Sequence, residues 1–171
     1  MKNKFEREKK FLLFFNALQQ EQGLLYKNVT YIKLQSYEDL LFDCFLWKSR
    51  NLYLNLFSNF LNQVVSSDQF VEQFLKIRSN HIKEFNELIK KLELMSQLKI
   101  QFEFFDKFRL DSNAFGFSDI IDLTSENCDS FISDELLIEL GGIREAGEID
   151  ETQLRECIKK AFNEIRIRVG K

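Results

Sequence analysis

Apolar positions along this chain recur mostly at intervals of three and four residues, and strict alternation never lasts more than a few residues. That period belongs to helices rather than strands. Phe5, Phe11, Leu12, Phe15 and Leu18 mark one helical face over about residues 4–21, which Gly23 can end. The next stretch, 24–34, contains the β-leaning run Val29-Thr30-Tyr31-Ile32 and reads as a loop or short strand. Ser36 then precedes Asp39 by three residues, a capping-box arrangement that opens a helix to about Gln63. Leu41, Phe45, Leu52, Leu56 and Phe60 repeat along it, and Trp47 and Tyr53 read as core or subunit-contact aromatics.

The clearest local signal is Val65-Ser66-Ser67-Asp68-Gln69-Phe70. Ser66 caps, Gln69 stands at N3, and Val65 can staple to Phe70. The helix that follows carries Phe70, Phe74, Ile77, Ile82, Phe85, Leu88, Leu92, Met95, Leu98, Phe102 and Phe105 at one period, too long for one bundle helix. A break is expected near Ser79 to His81, where weak helix formers cluster, with a second at Ser96. From Asp111 to Phe131 the composition is that of turns and irregular chain. Ser133 caps a short helix through Leu140, which Gly141-Gly142 ends. Asp150 caps a final helix with Gln153 at N3 and Ile149 stapling to Leu154. Its stripe is Leu154, Cys157, Ile158, Ala161, Phe162 and Ile165. The fold expected is all-α, an antiparallel four-helix-type bundle with an additional N-terminal helical segment and an irregular acidic insertion. The division is 1–50 as a helical extension packed on the bundle and 51–171 as the bundle domain.

Composition supports this reading. The 171 residues include no proline and only six glycines, so there is little to interrupt helices. Phenylalanine is abundant at 19 residues, which with the Lys, Asn, Leu and Ile load points to an AT-rich genome, bacterial or organellar. No apolar run approaches the roughly 20 residues that span a bilayer, and Phe11–Phe15 is too short for a signal peptide core. Three widely spaced cysteines, Cys44, Cys128 and Cys157, make a disulfide framework improbable. With His81 the sole histidine, no zinc ligand set exists. The location expected is cytoplasmic, or an organellar stroma or matrix for an organelle-encoded chain.

Charge is strongly segregated. The net charge is −3, yet residues 103–156 hold 15 acidic and four basic side chains, net −11, flanked on both sides by segments of net +4. Phosphate-backbone binding depends on Lys and Arg, so the acidic block disfavours a phosphate-backbone partner there and favours a basic partner or a cation. No EF-hand spacing is present, nor a phosphate-binding glycine loop. The serines at 66, 67, 130 and 133 have no histidine partner, and the pairs Glu84/Glu87 and Glu135/Glu139 are ordinary solvated spacings. No enzyme is read here, and no cofactor or metal. Lys2, Lys4, Arg7, Lys9 and Lys10 beside Phe11, Phe14 and Phe15 could lie on an anionic surface, but Glu6 and Glu8 dilute that field.

From Tyr53 onward the chain resembles the small helical immunity proteins of the colicin D immunity type. The likeness is carried by Tyr53-x-x-Leu56-x-x-x-Phe60-Leu61, by Val65 to Leu75, by Phe102 to Asp111, and by Glu148-Ile149-Asp150-Glu151-Thr152-Gln153-Leu154-Arg155. The resemblance implies a compact four-helix bundle whose acidic surface occupies the basic cleft of a tRNA-cleaving toxin, with nothing catalytic in the bundle. It covers about residues 53–168, and the chain departs from it in its N-terminal residues and between Ser112 and Gly147. Glu145, Glu148, Asp150 and Glu151 match the family's acidic turn, with Asp119, Asp122 and Glu135 as further protein-binding candidates. The function expected is therefore a non-catalytic protein-binding module, an immunity protein that neutralises a basic nuclease. The alternative is a structural or assembly subunit of a larger complex, which calls for an exposed Phe-rich surface between Glu38 and Gln63.

Overall fold

The computed structural model describes residues 29–93 and 111–170, with the backbone alone for 29–38, 91–93 and 112. These residues form an all-α, multi-helix bundle: α1 (Val29–Lys48), α2 (Arg50–Leu61), α3 (Ser67–Glu93), α4 (Phe117–Asp129), α5 (Asp134–Glu139) and α6 (Glu151–Val169), with a 3-10 turn at Ser112–Ala114. Among the described residues there is no sheet, only an isolated parallel bridge between Phe131 and Ile149. The expected N-terminal helix at 4–21, the second break at Ser96 and the resemblance at 102–110 lie outside the described residues.

Helix α6 packs on α2 and α4, α4 packs also on α1 and α3, and α3 lies against α2. The core is chiefly aromatic. Rings form a continuous column: Phe60 stacks on Phe70 at 4.4 Å, Phe70 on Phe74 at 5.9 Å, and Tyr53 meets Phe74 at 5.9 Å and Phe117 at 6.0 Å. Trp47 closes the column edge-on to Phe117 at 5.2 Å. Apart from Trp47, each of these rings is fully buried, and burying one side chain of this size stabilises the fold by about 1.5–3 kcal/mol. Cys44, Leu46 and Trp47 of α1 belong to the same core cluster as the residues of α2, α3, α4 and α6.

Both strong cap signals are realised. Gln69 N–H donates to Ser66 Oγ at 3.2 Å while the Ser66 N–H donates to Gln69 Oε1 at 3.1 Å, a complete capping box opening α3. The Asp150–Gln153 box opens α6 in the same way, with bonds of 2.8 and 3.0 Å. Ser133 caps α5 by accepting from the Leu136 N–H. Helix α2 ends with Gln63 at φ 59°, where the Val64 N–H reaches Asn59 O at 2.8 Å and the Gln63 N–H reaches Phe60 O at 3.0 Å. This is a Schellman closure that uses glutamine where glycine is usual.

Five expectations are corrected. Residues 29–34 are helical and not a loop or strand, because β-branched residues lose only a fraction of a kcal/mol each in a helix and the turns that follow, with Leu41, Cys44, Leu46 and Trp47 buried, settle the conformation. Ser36 therefore lies inside α1 and starts nothing. The helix expected to continue to Gln63 is interrupted at Ser49, whose N–H bonds to Leu46 O at 2.9 Å. There Arg50 donates to Trp47 O at 2.9 Å and lies 4.9 Å from the Trp47 ring centroid, so a cation covers the carboxyl end of α1. No break occurs at Ser79 to His81. Helix α3 runs through it, since His81 is buried and bonded across the core to Tyr53, which outweighs the poor propensity of Ser-Asn-His. Finally, the stretch read as irregular from Asp111 to Phe131 contains α4, which buries Phe117, Ile120, Ile121, Thr124, Ser125 and Cys128.

Helix α4 is started from a distance. Gly116, its N-cap, is left-handed at φ 71° and has no side chain to cap with. The carboxylate of Asp43, 4% exposed in α1, accepts instead from the Gly116 N–H at 2.7 Å, the Ser118 N–H at 2.8 Å and the Ser118 hydroxyl at 2.6 Å. A buried anion at a helix N-terminus satisfies two orphan donors and complements the dipole. Thr124, in the middle of the helix, bonds its hydroxyl back to Ile120 O at 2.7 Å, so its burial leaves no unsatisfied group.

Candidate functional site

Between α4 and α6 the chain leaves the bundle and returns, and this excursion carries much of the acidic block. Its ends are pinned together: the Ile132 N–H donates to Ile149 O at 3.1 Å and the Ile149 N–H to Ser130 O at 2.9 Å. Half-buried Phe131 and Ile149 rest on the core at this neck. Inside the excursion Arg144 donates to Ile132 O at 2.7 Å and Ile149 O at 3.1 Å, and pairs with Asp134 at 2.5 Å. One guanidinium thus ties both arms and the start of α5 together, a task suited to its fork of donors. Helix α5 closes with the Gly142 N–H on Leu137 O at 2.8 Å and the Gly141 N–H on Ile138 O at 3.3 Å.

The candidate residues divide into groups. Glu145 and Glu148 share the turn before α6, where the Glu148 carboxylate accepts from the Glu145 N–H at 2.7 Å. Asp150 is engaged as the cap of α6. Glu151, in the first turn, pairs with Arg155 at 2.7 Å. Its carboxyl is held below the usual range first by the Ser67 hydroxyl, which faces it without forming a well-aligned bond, and then by Arg155. Glu135 is exposed on α5. Asp119 and Asp122 stand apart on α4. Asp122 is bound by Arg78 of α3 at 3.0 Å, and Asp119 lies beside Asp39 of α1. Burial, with Asp43 and Asp119 as like-charged neighbours, pushes the Asp39 carboxyl above its ordinary value. The structure therefore brings Glu135, Glu145, Glu148, Asp150 and Glu151 onto one excursion and the helix start it feeds. Asp119 and Asp122 join contacts within the bundle.

From Asp111 to Glu156 there are 13 acidic side chains and two basic ones. Both basic groups are occupied. Arg144 staples the excursion, while Arg155 pairs with Glu151, donates to Phe60 O at 2.8 Å and lies 4.4 Å from the Phe60 ring centroid. Such a surface repels phosphate and attracts cationic groups.

The remaining candidates for chemistry have structural duties. Ser66 and Ser133 cap, and His81 Nδ1 shares a 2.8 Å hydrogen bond with the Tyr53 hydroxyl inside the core. Burial raises the Tyr53 phenol and lowers the His81 imidazole, so both favour their neutral forms. Among the described residues no group of three or more His, Cys, Asp or Glu side chains is placed to hold a metal ion. Likewise, no helix among them is long and apolar enough to cross a membrane. Between Glu38 and Gln63, Phe42 and Phe45 are half-buried and Phe57 and Phe60 fully buried, so the Phe-rich outer face required by the assembly-subunit alternative is not found there.

Sequence reasoning missed one feature. Leu136, Ile138, Leu140 and Ile143, on α5 and just after it, are all exposed. The signal was present in Leu136-Leu137-Ile138-x-Leu140, because apolar residues this dense cannot all face inward from a helix of six residues. In comparisons with protein-family models, curated proteins and solved structures, nothing matches this chain.

Proposed function

We propose that the chain is a non-catalytic protein-binding module whose acidic surface engages a basic protein, as an immunity protein does when it neutralises a nuclease toxin. The observation that carries this reading is the excess of 13 acidic over two basic side chains from Asp111 to Glu156, with both bases already occupied by internal contacts. In this reading α2, α3, α4 and α6 are the four-helix-type bundle, the chain before Arg50 is the added N-terminal segment, and the acidic insertion is the excursion around α5. Glu145, Glu148 and Glu151 are the principal contacts, and the protein acts in a cytoplasm or an organelle matrix. Exposed carboxylates of this kind accelerate association and make it sensitive to salt.

The test is the triple reversal Glu145→Lys, Glu148→Lys and Glu151→Lys. Asp150 is left intact because its loss would mix folding with binding. The variant is expected to keep the helical spectrum while losing both capture of the native partner and the salt dependence of association. Undiminished capture would reject the acidic binding mode.

A further inference from the structure

We infer that the tip of the excursion anchors the partner: Leu136, Ile138, Leu140 and Ile143 enter an apolar depression on a basic protein, whose lysines and arginines meet the carboxylates around them. This rests on the reading of the acidic surface as the binding face and adds what holds the complex together.

Every other α-helix described buries several residues in the core, but α5 buries none. Its aliphatic side chains are instead presented outward: Leu136 is 45% exposed, Leu140 67%, Ile138 76% and Ile143, in the following turn, 83%. Four large aliphatic groups are exposed within eight residues of sequence, whereas the other exposed large hydrophobics among the described residues, Leu52, Val64, Phe115, Leu123 and Ile167, are scattered singly along the chain. They are also held in place. The Ser133 cap, the closure at Gly141-Gly142, the neck at Phe131–Ile149 and the three bonds of Arg144 fix the conformation before any partner arrives. Ordering a binding loop in advance removes part of the entropy cost of association.

Charge selects the occupant. From Asp134 to Glu151 there are seven carboxylates and one arginine, which is turned inward. A second copy of this chain, paired face to face, would set those carboxylates against their own kind. An anionic lipid surface meets the same repulsion. A basic protein with an apolar centre suits both the aliphatic tip and its rim. Rim charges chiefly govern the rate of encounter, whereas desolvated apolar anchors slow dissociation.

The experiment uses the full chain and two labelled probes of equal charge, an amphipathic lysine–leucine peptide and an oligolysine. Affinity is read by fluorescence anisotropy at fixed salt. The wild type should bind the lysine–leucine peptide about tenfold tighter than oligolysine. Combined Leu136→Ser, Ile138→Ser, Leu140→Ser and Ile143→Ser should erase that difference. Ile143→Ser alone, outside the helix, should reduce it about threefold, so the test survives if the combined variant loses α5. The triple Lys reversal should weaken both peptides together.

No preference for the leucine-containing peptide, or a preference that the serine variants retain, overturns the anchor while leaving the acidic reading intact. If the triple reversal weakens neither peptide, the acidic reading itself fails. Concentration-dependent dimers in sedimentation, abolished by the serine variants, would assign the tip to a second copy and overturn the proposal.

Discussion

Replacing Asp43 by alanine tests the long-range start of α4. The carboxylate accepts three hydrogen bonds, from two backbone N–H groups and one hydroxyl, at 2.6–2.8 Å. Hydrogen bonds to a charged partner contribute about 1.5–3 kcal/mol each, but three bonds to one carboxylate overlap, and the Ser118 hydroxyl can turn to another acceptor. The loss expected for Asp43→Ala is therefore about 3–5 kcal/mol, at the upper end for a single substitution. Asp43→Asn keeps the shape. Its amide oxygen can still serve Ser118, but its NH2 group then faces the Gly116 N–H donor to donor, and a loss of about 2–3 kcal/mol follows. Urea unfolding monitored by far-ultraviolet circular dichroism measures both. With a slope of about 2 kcal/mol/M, the midpoint should fall by about 1.5–2.5 M for alanine and by about 1–1.5 M for asparagine. Ser118→Ala combined with Asp43→Asn should cost less than the two separately. A midpoint shift for alanine below about 0.5 M, at unchanged slope, would refute the cap, since water would then be serving both amides equally well.

Two further outcomes concern buried titratable groups. Burial holds His81 below its ordinary value, with Glu84 opposing, so the unfolded chain takes up that proton more readily than the folded one. His81 therefore contributes stability above about pH 6.5 that is lost as the pH falls below that value toward its folded pKa; His81→Gln should flatten this dependence, and matching pH profiles for the two proteins would contradict it. Burial pushes the Cys128 thiol up to about 12 and raises Cys44 as well, while Cys157 is only half-buried. An aromatic disulfide reagent at pH 8 should modify Cys157 first, with the other two waiting on opening of the fold; three equally fast thiols would show that the interior around α1 and α4 is loose.

What could be read from sequence was what is decided locally. The Ser66–Gln69 and Asp150–Gln153 boxes lie within four residues each, and both helix starts fall where those residues place them. Helix α4 escaped notice because its own residues, Asp119, Asp122, Ser125, Asn127 and Asp129, resemble turn composition, and the group that starts it lies 73–75 residues earlier. The continuity of α3 through Ser79 to His81 rests on Tyr53, 28 residues away. In the same way the acidic block was visible as a count of charges, but the engagement of Asp122 by Arg78 and of Asp150 by its own helix depends on geometry. The aliphatic tip was legible only as an excess of leucine and isoleucine in a helix too short to hide them.

Trp47 is the protein's sole tryptophan, and its indole N–H donates to Asp111 Oδ2 at 3.0 Å across 64 residues of chain. That bond forms only when the polypeptide has come back on itself, along with Asp43 meeting Gly116 and Arg155 meeting Phe60 across 95 residues. A helical bundle closed by such distant contacts should fold more slowly than one joined helix to neighbour, because large loops must close before the contacts stabilise anything. Trp47 stands at that closure, between Phe117 on one side and Arg50 on the other. Its emission in a stopped-flow refolding trace is therefore an intrinsic clock for the return of the second half of the chain, one that needs no label.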